Sequence, residues 1–249
     1  MIKSTHTAVD DRLFQTVSGI VASETVVAHL RKATAGELSI LNTHPFQFGK
    51  WIFAHNGNIK NFSLLRKSLT EKVAPVFRRF ILGNTDSELI FFLIMSNLAR
   101  YIDVHEQEVR IQSVFDAVKA TLTEICSVVE ISGQQDGPPD HTYLSFVLTN
   151  GQTLVAHNGG QRLHFSTHKQ ICSQRKTCPF LSDSCESAAA NGAPINHLIV
   201  SSEPLKGENV WREISYGEIV GTDSEMRLNS DSFNYSVHFQ PVSVAAGLT

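Results

Sequence analysis

The stretch Trp51-Ile52-Phe53-Ala54-His55-Asn56-Gly57 joins a short apolar run to a polar cluster. Its first four residues are aromatic, β-branched or small, which predicts a short buried strand over residues 51–54. Asn56-Gly57 is among the commonest turn pairs, so we expect the strand to stop there. A polar cluster, His55-Asn56-Gly57, therefore follows directly on an apolar element.

A helix is predicted further along the chain, from Thr85. The motif Thr85-Asp86-Ser87-Glu88 fits a capping box, with Thr85 as the N-cap and Glu88 three residues later. Residues 89–101 continue this helix and are apolar nearly all round, which indicates a buried helix. Apolar residues at helical spacing predict further helices over residues 10–23, 61–72 and 109–129.

Strands dominate the remainder of the sequence. Asn150-Gly151 separates apolar residues 143–149 from residues 153–157 and predicts a hairpin. Residues 169–194 have little periodicity and are interpreted as a long irregular loop. Because strands and helices do not alternate regularly, the order of elements predicts an α+β fold. The other predicted strands cover residues 25–30, 162–167, 198–201, 218–220 and 235–239.

Composition excludes several classes of protein. The 249 residues carry 21 Lys+Arg against 24 Asp+Glu, a formal charge of −3, which argues against a nucleic-acid partner. The longest apolar run, residues 89–95, is far shorter than the roughly 20 residues of a membrane-spanning helix, so we expect no membrane association. Four cysteines and no readable signal peptide favour a reduced, cytoplasmic protein.

Four polar clusters follow or precede the apolar elements, and each by itself has an ordinary structural explanation as a surface cation, a turn or a helix cap. Together they suggest a pocket for an α-amino acid. An Arg suits a carboxylate, an Asp on the first turn of a helix suits an ammonium, and an Asn amide beside a Gly N–H suits an oxyanion. The clusters are His29-Leu30-Arg31-Lys32-Ala33-Thr34, Asn42-Thr43-His44-Pro45-Phe46, His55-Asn56-Gly57 and Thr85-Asp86-Ser87-Glu88.

In order and approximate spacing, these motifs resemble those of class II glutamine amidotransferases, which are N-terminal-nucleophile (Ntn) hydrolases. The sequence is most similar to their small stand-alone branch, which residues 144–156 and the segment Ser201-Ser202-Glu203-Pro204-Leu205 with Trp211 also fit. The resemblance runs from about residue 26 to residue 220. It implies an αββα four-layer sandwich, with residues 1–249 as a single domain that lacks the family's first strands.

The resemblance also implies roles for individual residues. Arg31 would bind the α-carboxylate of glutamine or of another γ-glutamyl compound, and Asp86 would bind its α-ammonium. Asn56 and Gly57 would form the oxyanion hole. Thr34 and His44 would line or support the pocket. The implied reaction is hydrolysis of a γ-glutamyl amide, for which we expect neither a cofactor nor a metal.

The nucleophile of this reaction is the feature that the sequence does not match. In the family an N-terminal Cys attacks the side-chain amide, with its own α-amine as the base. Thirty residues precede Arg31 and none of them is Cys. We therefore expect a truncated sequence that is inactive as given. The alternative is a non-catalytic glutamyl-binding or scaffolding subunit that partners an active chain.

A second alternative is a metal-binding interaction module in the irregular loop. His168, Cys172, Cys178 and Cys185 could supply zinc ligands. The segment contains no Cys-x-x-Cys pair, so the pattern is weak. A loop with reduced thiols explains the same residues.

Overall fold

The computed structural model describes residues 1–30, 39–131, 133, 135–137 and 140–238. Its α-helices in these ranges are α1 (Arg12–Ser18), α2 (Phe62–Lys72), α3 (Pro75–Arg78), α4 (Asp86–Tyr101) and α5 (Ile111–Cys126). Its strands are β1 (Phe46–Phe48), β2 (Trp51–Asn58), β3 (Tyr143–Thr149), β4 (Leu154–His157), β5 (His164–Ser166), β6 (Ile199–Ser201), β7 (Arg212–Glu213), β8 (Glu218–Thr222) and β9 (Leu228–Ser232).

Two antiparallel sheets organise the chain. The larger sheet has the strand order β1-β2-β3-β4-β8-β9, and the smaller has the order β6-β5-β7. Hairpins join β1 to β2 through Gly49, at a φ of 56°, and β3 to β4 through the predicted turn at Asn150-Gly151. This mixed architecture of helices and antiparallel sheets confirms the predicted α+β class.

The larger sheet has an apolar core on each of its faces. Phe53, Phe146 and Ile219 pack with the residues of α4 and α5 on one face. Val147 and Val220, one residue further along their strands, pack with residues of the smaller sheet on the other face. This alternation is the period of two expected of a strand that is buried on both sides. The layers are therefore helices, large sheet and small sheet.

Helix α4 is the central helix and confirms the prediction from its cap. The Thr85 hydroxyl accepts a hydrogen bond from the Glu88 N–H at 3.2 Å, and residues 87–98 are all buried. The Glu88 carboxylate reaches further back than the capping box requires and accepts from the N–H groups of Leu82 and Gly83. It thereby closes the loop that leads into the helix. No helix in the described ranges is both long enough and apolar enough to cross a bilayer.

Several predictions near the two ends of the chain were wrong. The predicted helix over residues 10–23 shrinks to α1, which buries none of its residues, and residues 25–30 form no strand. Leu30 is 80 % exposed, so the apolar pattern of residues 25–30 has no packing surface in the described structure. Residues 235–238 form a 3₁₀ helix, and the polar edge strand β9 was missed because strand propensity depends on packing partners.

Candidate active site

The Asn56-Gly57 pair lies inside strand β2 and not in a turn, which corrects the sequence prediction. Asn56 pairs with Ser145 and Gly57 with Leu144, so the neighbouring strand overrides the local turn preference. The reason for glycine at position 57 is space. A Cβ there would lie 2.1 Å from the Tyr143 carbonyl oxygen, closer than any side chain can approach.

The N-terminus of α4 lies against this end of β2. Asp86, the first residue of the helix, accepts a hydrogen bond at 2.7 Å from the N–H of Ile59, just beyond the strand. Its other carboxylate oxygen accepts from the Ser87 N–H, also at 2.7 Å. Carboxylates are favoured at helix N-termini because the free N–H groups there carry partial positive charge. The carboxylate is thus fixed beside the segment that carries Asn56 and Gly57.

His55 fills the space beneath these residues. Its Nδ1 lies 2.9 Å from the Ser87 hydroxyl and its Nε2 lies 3.0 Å from the Tyr143 carbonyl oxygen. A carbonyl can only accept, so Nε2 carries the proton and Nδ1 accepts from the Ser87 O–H. Burial lowers the pKa of His55, an effect that the nearby Asp86 charge opposes. The ring is therefore held as a neutral imidazole.

The loop that carries His44 joins the same region. The His44 ring packs on His29, with 4.1 Å between ring centroids, and His29 Nε2 donates to the His55 carbonyl at 3.2 Å. Asn42 Oδ1 accepts from the Asn84 N–H at 3.0 Å, which joins this loop to the residues before α4. Both Asn42 and His44 are buried.

Four of the six predicted site residues are therefore brought together, namely His44, Asn56, Gly57 and Asp86. Arg31 and Thr34 lie outside the described residues. The predicted roles of all six residues stay predictions. The side chain of Asn56 is exposed and Asp86 is half-buried, which leaves this cluster open to a ligand from solvent.

Sequence reasoning missed the supporting residues His55, Ser87 and Glu88. Their only signal was that each lies within two positions of a predicted binding residue. Glu88 is buried, and this burial raises the pKa of its carboxyl against the opposing effect of the Leu82 and Gly83 N–H groups. All three hold the main chain around the cluster.

The four cysteines lie elsewhere in the fold. Cys126 is the last residue of α5, where burial raises the pKa of its thiol to about 12. Cys172, Cys178 and Cys185 lie in the loop between β5 and β6. Within the described ranges, no three His, Cys, Asp or Glu side chains are grouped so that they could hold a metal. The proposed zinc module therefore gains no support.

Comparison with known proteins identifies the family. Residues 2–232 match the family model of the class-II glutamine amidotransferases. The chain belongs to this family. The predicted resemblance is thereby confirmed over nearly the whole described part of the sequence.

Two curated relatives show how this amidotransferase chain relates to longer proteins. It is 27 % identical over 222 residues to the probable glutamine amidotransferase DUG3 of Saccharomyces cerevisiae, covering 84 % of this chain and 59 % of the yeast protein. It is 33 % identical over 222 residues to the glutamine–fructose-6-phosphate aminotransferase (isomerizing) of Haemophilus influenzae, covering 88 % of this chain and 32 % of that enzyme. The chain thus spans less than two thirds of either relative.

A solved structure supports the fold. A glutamine aminotransferase class-II domain protein from Silicibacter pomeroyi superposes with a TM-score of 0.61 at 21 % identity. The match covers 93 % of this chain and 84 % of the other. This similarity confirms the predicted Ntn-type fold.

Proposed function

We propose that this chain binds glutamine or another γ-glutamyl compound at the cluster of Asn56, Gly57 and Asp86. The observation that carries the proposal is the hydrogen bond from the Ile59 N–H to the Asp86 carboxylate, at 2.7 Å. It brings an anion suited to an α-ammonium beside two donors suited to an amide oxygen. An α-ammonium and a side-chain amide oxygen lie at the two ends of a glutamine molecule.

The pairing of β2 with β3 supports the oxyanion role. The Leu144 N–H donates to Gly159 on the far side of β3, at 2.9 Å. Opposed residues in an antiparallel ladder either exchange both hydrogen bonds or exchange none. Gly57, opposite Leu144, is therefore in a non-bonded pair, and its N–H points away from β3. Beside the exposed Asn56 amide, it supplies the second donor for a developing oxyanion.

Asp86 retains capacity for the ammonium. Two ionised carboxylate oxygens offer about four acceptor sites, and the two main-chain N–H groups from Ile59 and Ser87 use two of them. In this proposal Arg31 binds the α-carboxylate, and Thr34 and His44 line the pocket. The ligand is held at both charged ends, with its side-chain amide directed to Asn56 and Gly57.

Hydrolysis requires a nucleophile that the described cluster does not contain. The cysteines of the 249 residues are at positions 126, 172, 178 and 185, and no described hydrogen bond links any of them to the cluster. We propose that this sequence on its own binds the γ-glutamyl amide without cleaving it. The same geometry fits a non-catalytic glutamyl-binding subunit that works beside a thiol-bearing chain.

Isothermal titration of the 249-residue protein with L-glutamine tests the binding role. Asp86→Asn should weaken binding about tenfold or more, because a charge-assisted hydrogen bond contributes roughly 1.5–3 kcal/mol. Asp116→Asn is the matched control, since Asp116 lies on α5 and pairs with Lys119. We expect Arg31→Ala to abolish binding. Equal affinities for the wild type, Asp86→Asn and Arg31→Ala would refute the assignment.

An ammonia-release assay on the same protein tests the second half of the proposal. We expect no release above the uncatalysed rate, because no thiol or hydroxyl activated by a free amine lies in the described cluster. Steady ammonia release that Asp86→Asn reduces would show that this sequence carries its own nucleophile.

A further inference from the structure

The His55 side chain joins three elements that meet at the candidate site. Through its two ring nitrogens it bonds to Ser87 on α4 and to the Tyr143 carbonyl on β3, while its own main chain belongs to β2. Both side chains of the His55–Ser87 pair are buried, with 2 % and 4 % of their residues' surface exposed. Water therefore does not compete for this hydrogen bond.

The positions of these two residues along the chain are informative. His55 directly precedes Asn56, and Ser87 directly follows Asp86. A hydrogen bond of 2.9 Å between the flanking residues therefore limits how far the oxyanion donors can move from the carboxylate. The bond from the Ile59 N–H to Asp86 limits the same distance from the other side of Gly57.

We propose that His55 and Ser87 are positioning residues, which set the distance between the Asn56-Gly57 donors and the Asp86 carboxylate. The inference rests on the proposed function, because it assigns a role around the same ligand. Neither side chain needs to touch that ligand. Each acts through the binding residue beside it, as supporting residues generally do in preorganised sites.

The absence of a side chain at position 57 belongs to the same arrangement. A Cβ on Gly57 would lie 2.8 Å from His55 Nε2 as well as 2.1 Å from the Tyr143 oxygen. The hydrogen bond between these two groups occupies the space that any side chain would need. Glycine thus allows the imidazole to lie directly under the proposed oxyanion donor.

The charge state of the ring suits this role. A neutral imidazole with its proton on Nε2 has a free acceptor at Nδ1, which the Ser87 hydroxyl fills. The Ser87 hydroxyl also lies 3.3 Å from Asp86 Oδ1, a longer and weaker alternative. Among the described groups, Asp86 is the ionisable side chain whose charge acts on the ring, and burial outweighs it.

Ser87→Ala and Ser96→Ala make a matched pair for the test. Ser96 lies on the same helix, is also buried, and uses its hydroxyl to bond the main chain at Phe92 and Ala74. In titrations with L-glutamine, Ser87→Ala should weaken binding about tenfold, and Ser96→Ala should stay within about twofold of the wild type. Equal losses of affinity in the two variants would overturn the positioning role.

Two nuclear magnetic resonance readouts do not need a ligand. Long-range ¹H–¹⁵N spectra of the wild type should show His55 with its proton on Nε2, and Ser87→Ala should shift the Nδ1 resonance. Amide exchange of Ile59, whose N–H is bonded to Asp86, should be faster in Ser87→Ala than in Ser96→Ala.

These readouts separate the two possible failures. If the wild type does not bind glutamine, the proposed function fails, and the two resonance readouts decide whether the His55–Ser87 pair holds the two elements together. Unchanged exchange and an unchanged Nδ1 resonance in Ser87→Ala would refute the positioning role whatever the ligand.

Discussion

The buried His157 should make the stability of this protein strongly dependent on pH. Its Nδ1 lies 3.1 Å from the Glu218 carbonyl oxygen and its Nε2 lies 2.8 Å from the Tyr235 hydroxyl. Nδ1 therefore donates its proton and Nε2 accepts from the hydroxyl, which uses both nitrogens of a neutral ring. Burial lowers the pKa of His157 to about 3.

The size of the effect follows from proton linkage. In the unfolded chain His157 titrates near its ordinary value of about 6.5, so below that pH the unfolded state binds a proton that the folded state does not. The stability contributed by the neutral ring is complete above about pH 7.5, and well below pH 6.5 it falls by about 1.4 kcal/mol for each pH unit. Between pH 7.5 and pH 4.5 the loss is about 2.7 kcal/mol, and it continues toward pH 3.

Urea denaturation at half-unit steps from pH 4.5 to pH 7.5 measures this effect in the wild type and in His157→Asn. All other titrating groups, including the buried His55, are common to both proteins. The difference in free energy of unfolding should therefore shrink by about 2.7 kcal/mol between pH 7.5 and pH 4.5. Tyr235→Phe, which removes the hydroxyl donor but keeps the imidazole, should retain the pH dependence. Parallel curves for the wild type and His157→Asn would refute the reasoning.

Two further predictions concern the room for a side chain at glycine positions and the reactivity of the cysteine thiols. Gly57→Ala should lower the free energy of unfolding by about 1–3 kcal/mol, because its Cβ meets backbone inside a sheet, while Gly19→Ala should not lower it, because that Cβ meets nothing within 4 Å. Urea denaturation checks both, and equal stabilities would contradict the packing argument. A backbone hydrogen bond is the main cause that lowers the pKa of the Cys185 thiol, so Cys185 should react with a disulfide reagent in the native protein. Burial raises the pKa of the Cys126 thiol, so Cys126 should react only on unfolding. Rapid native labelling at Cys126, detected by peptide mass analysis, would count against its burial.

Local signals in the sequence were sufficient wherever an element depends on its own residues. The cap at Thr85 and the apolar run after it predict α4, because capping and helical burial act within one or two turns. The hairpin at Asn150-Gly151 was predictable for the same reason. The family motifs also lie in short continuous segments, so the order of residues alone was enough to indicate the family.

Local signals failed wherever pairing with another strand determines the conformation of a segment. Asn56-Gly57 has the sequence of a turn, yet seven β3 residues pair with β2 and keep it extended. Residues 25–30 have the sequence of a buried strand, and the described structure offers them no ladder. The intrinsic strand preference is worth only about 1 kcal/mol. Pairing with β3 therefore overrides the turn preference of Asn56-Gly57, and without a partner strand the preference of residues 25–30 does not suffice.

The sequence by itself determined which chemical groups are available: an Asn–Gly pair, an Asp on the first turn of a capped helix, and a histidine in the Asn42–Phe46 motif. Only the tertiary structure decided that Asp86 accepts from Ile59, that His55 bonds to Ser87, and that Gly57 passes under the Tyr143 carbonyl. These contacts join residues that are far apart along the chain. They depend on the register of β2 against β3 and on where α4 packs, and no local pattern contains either.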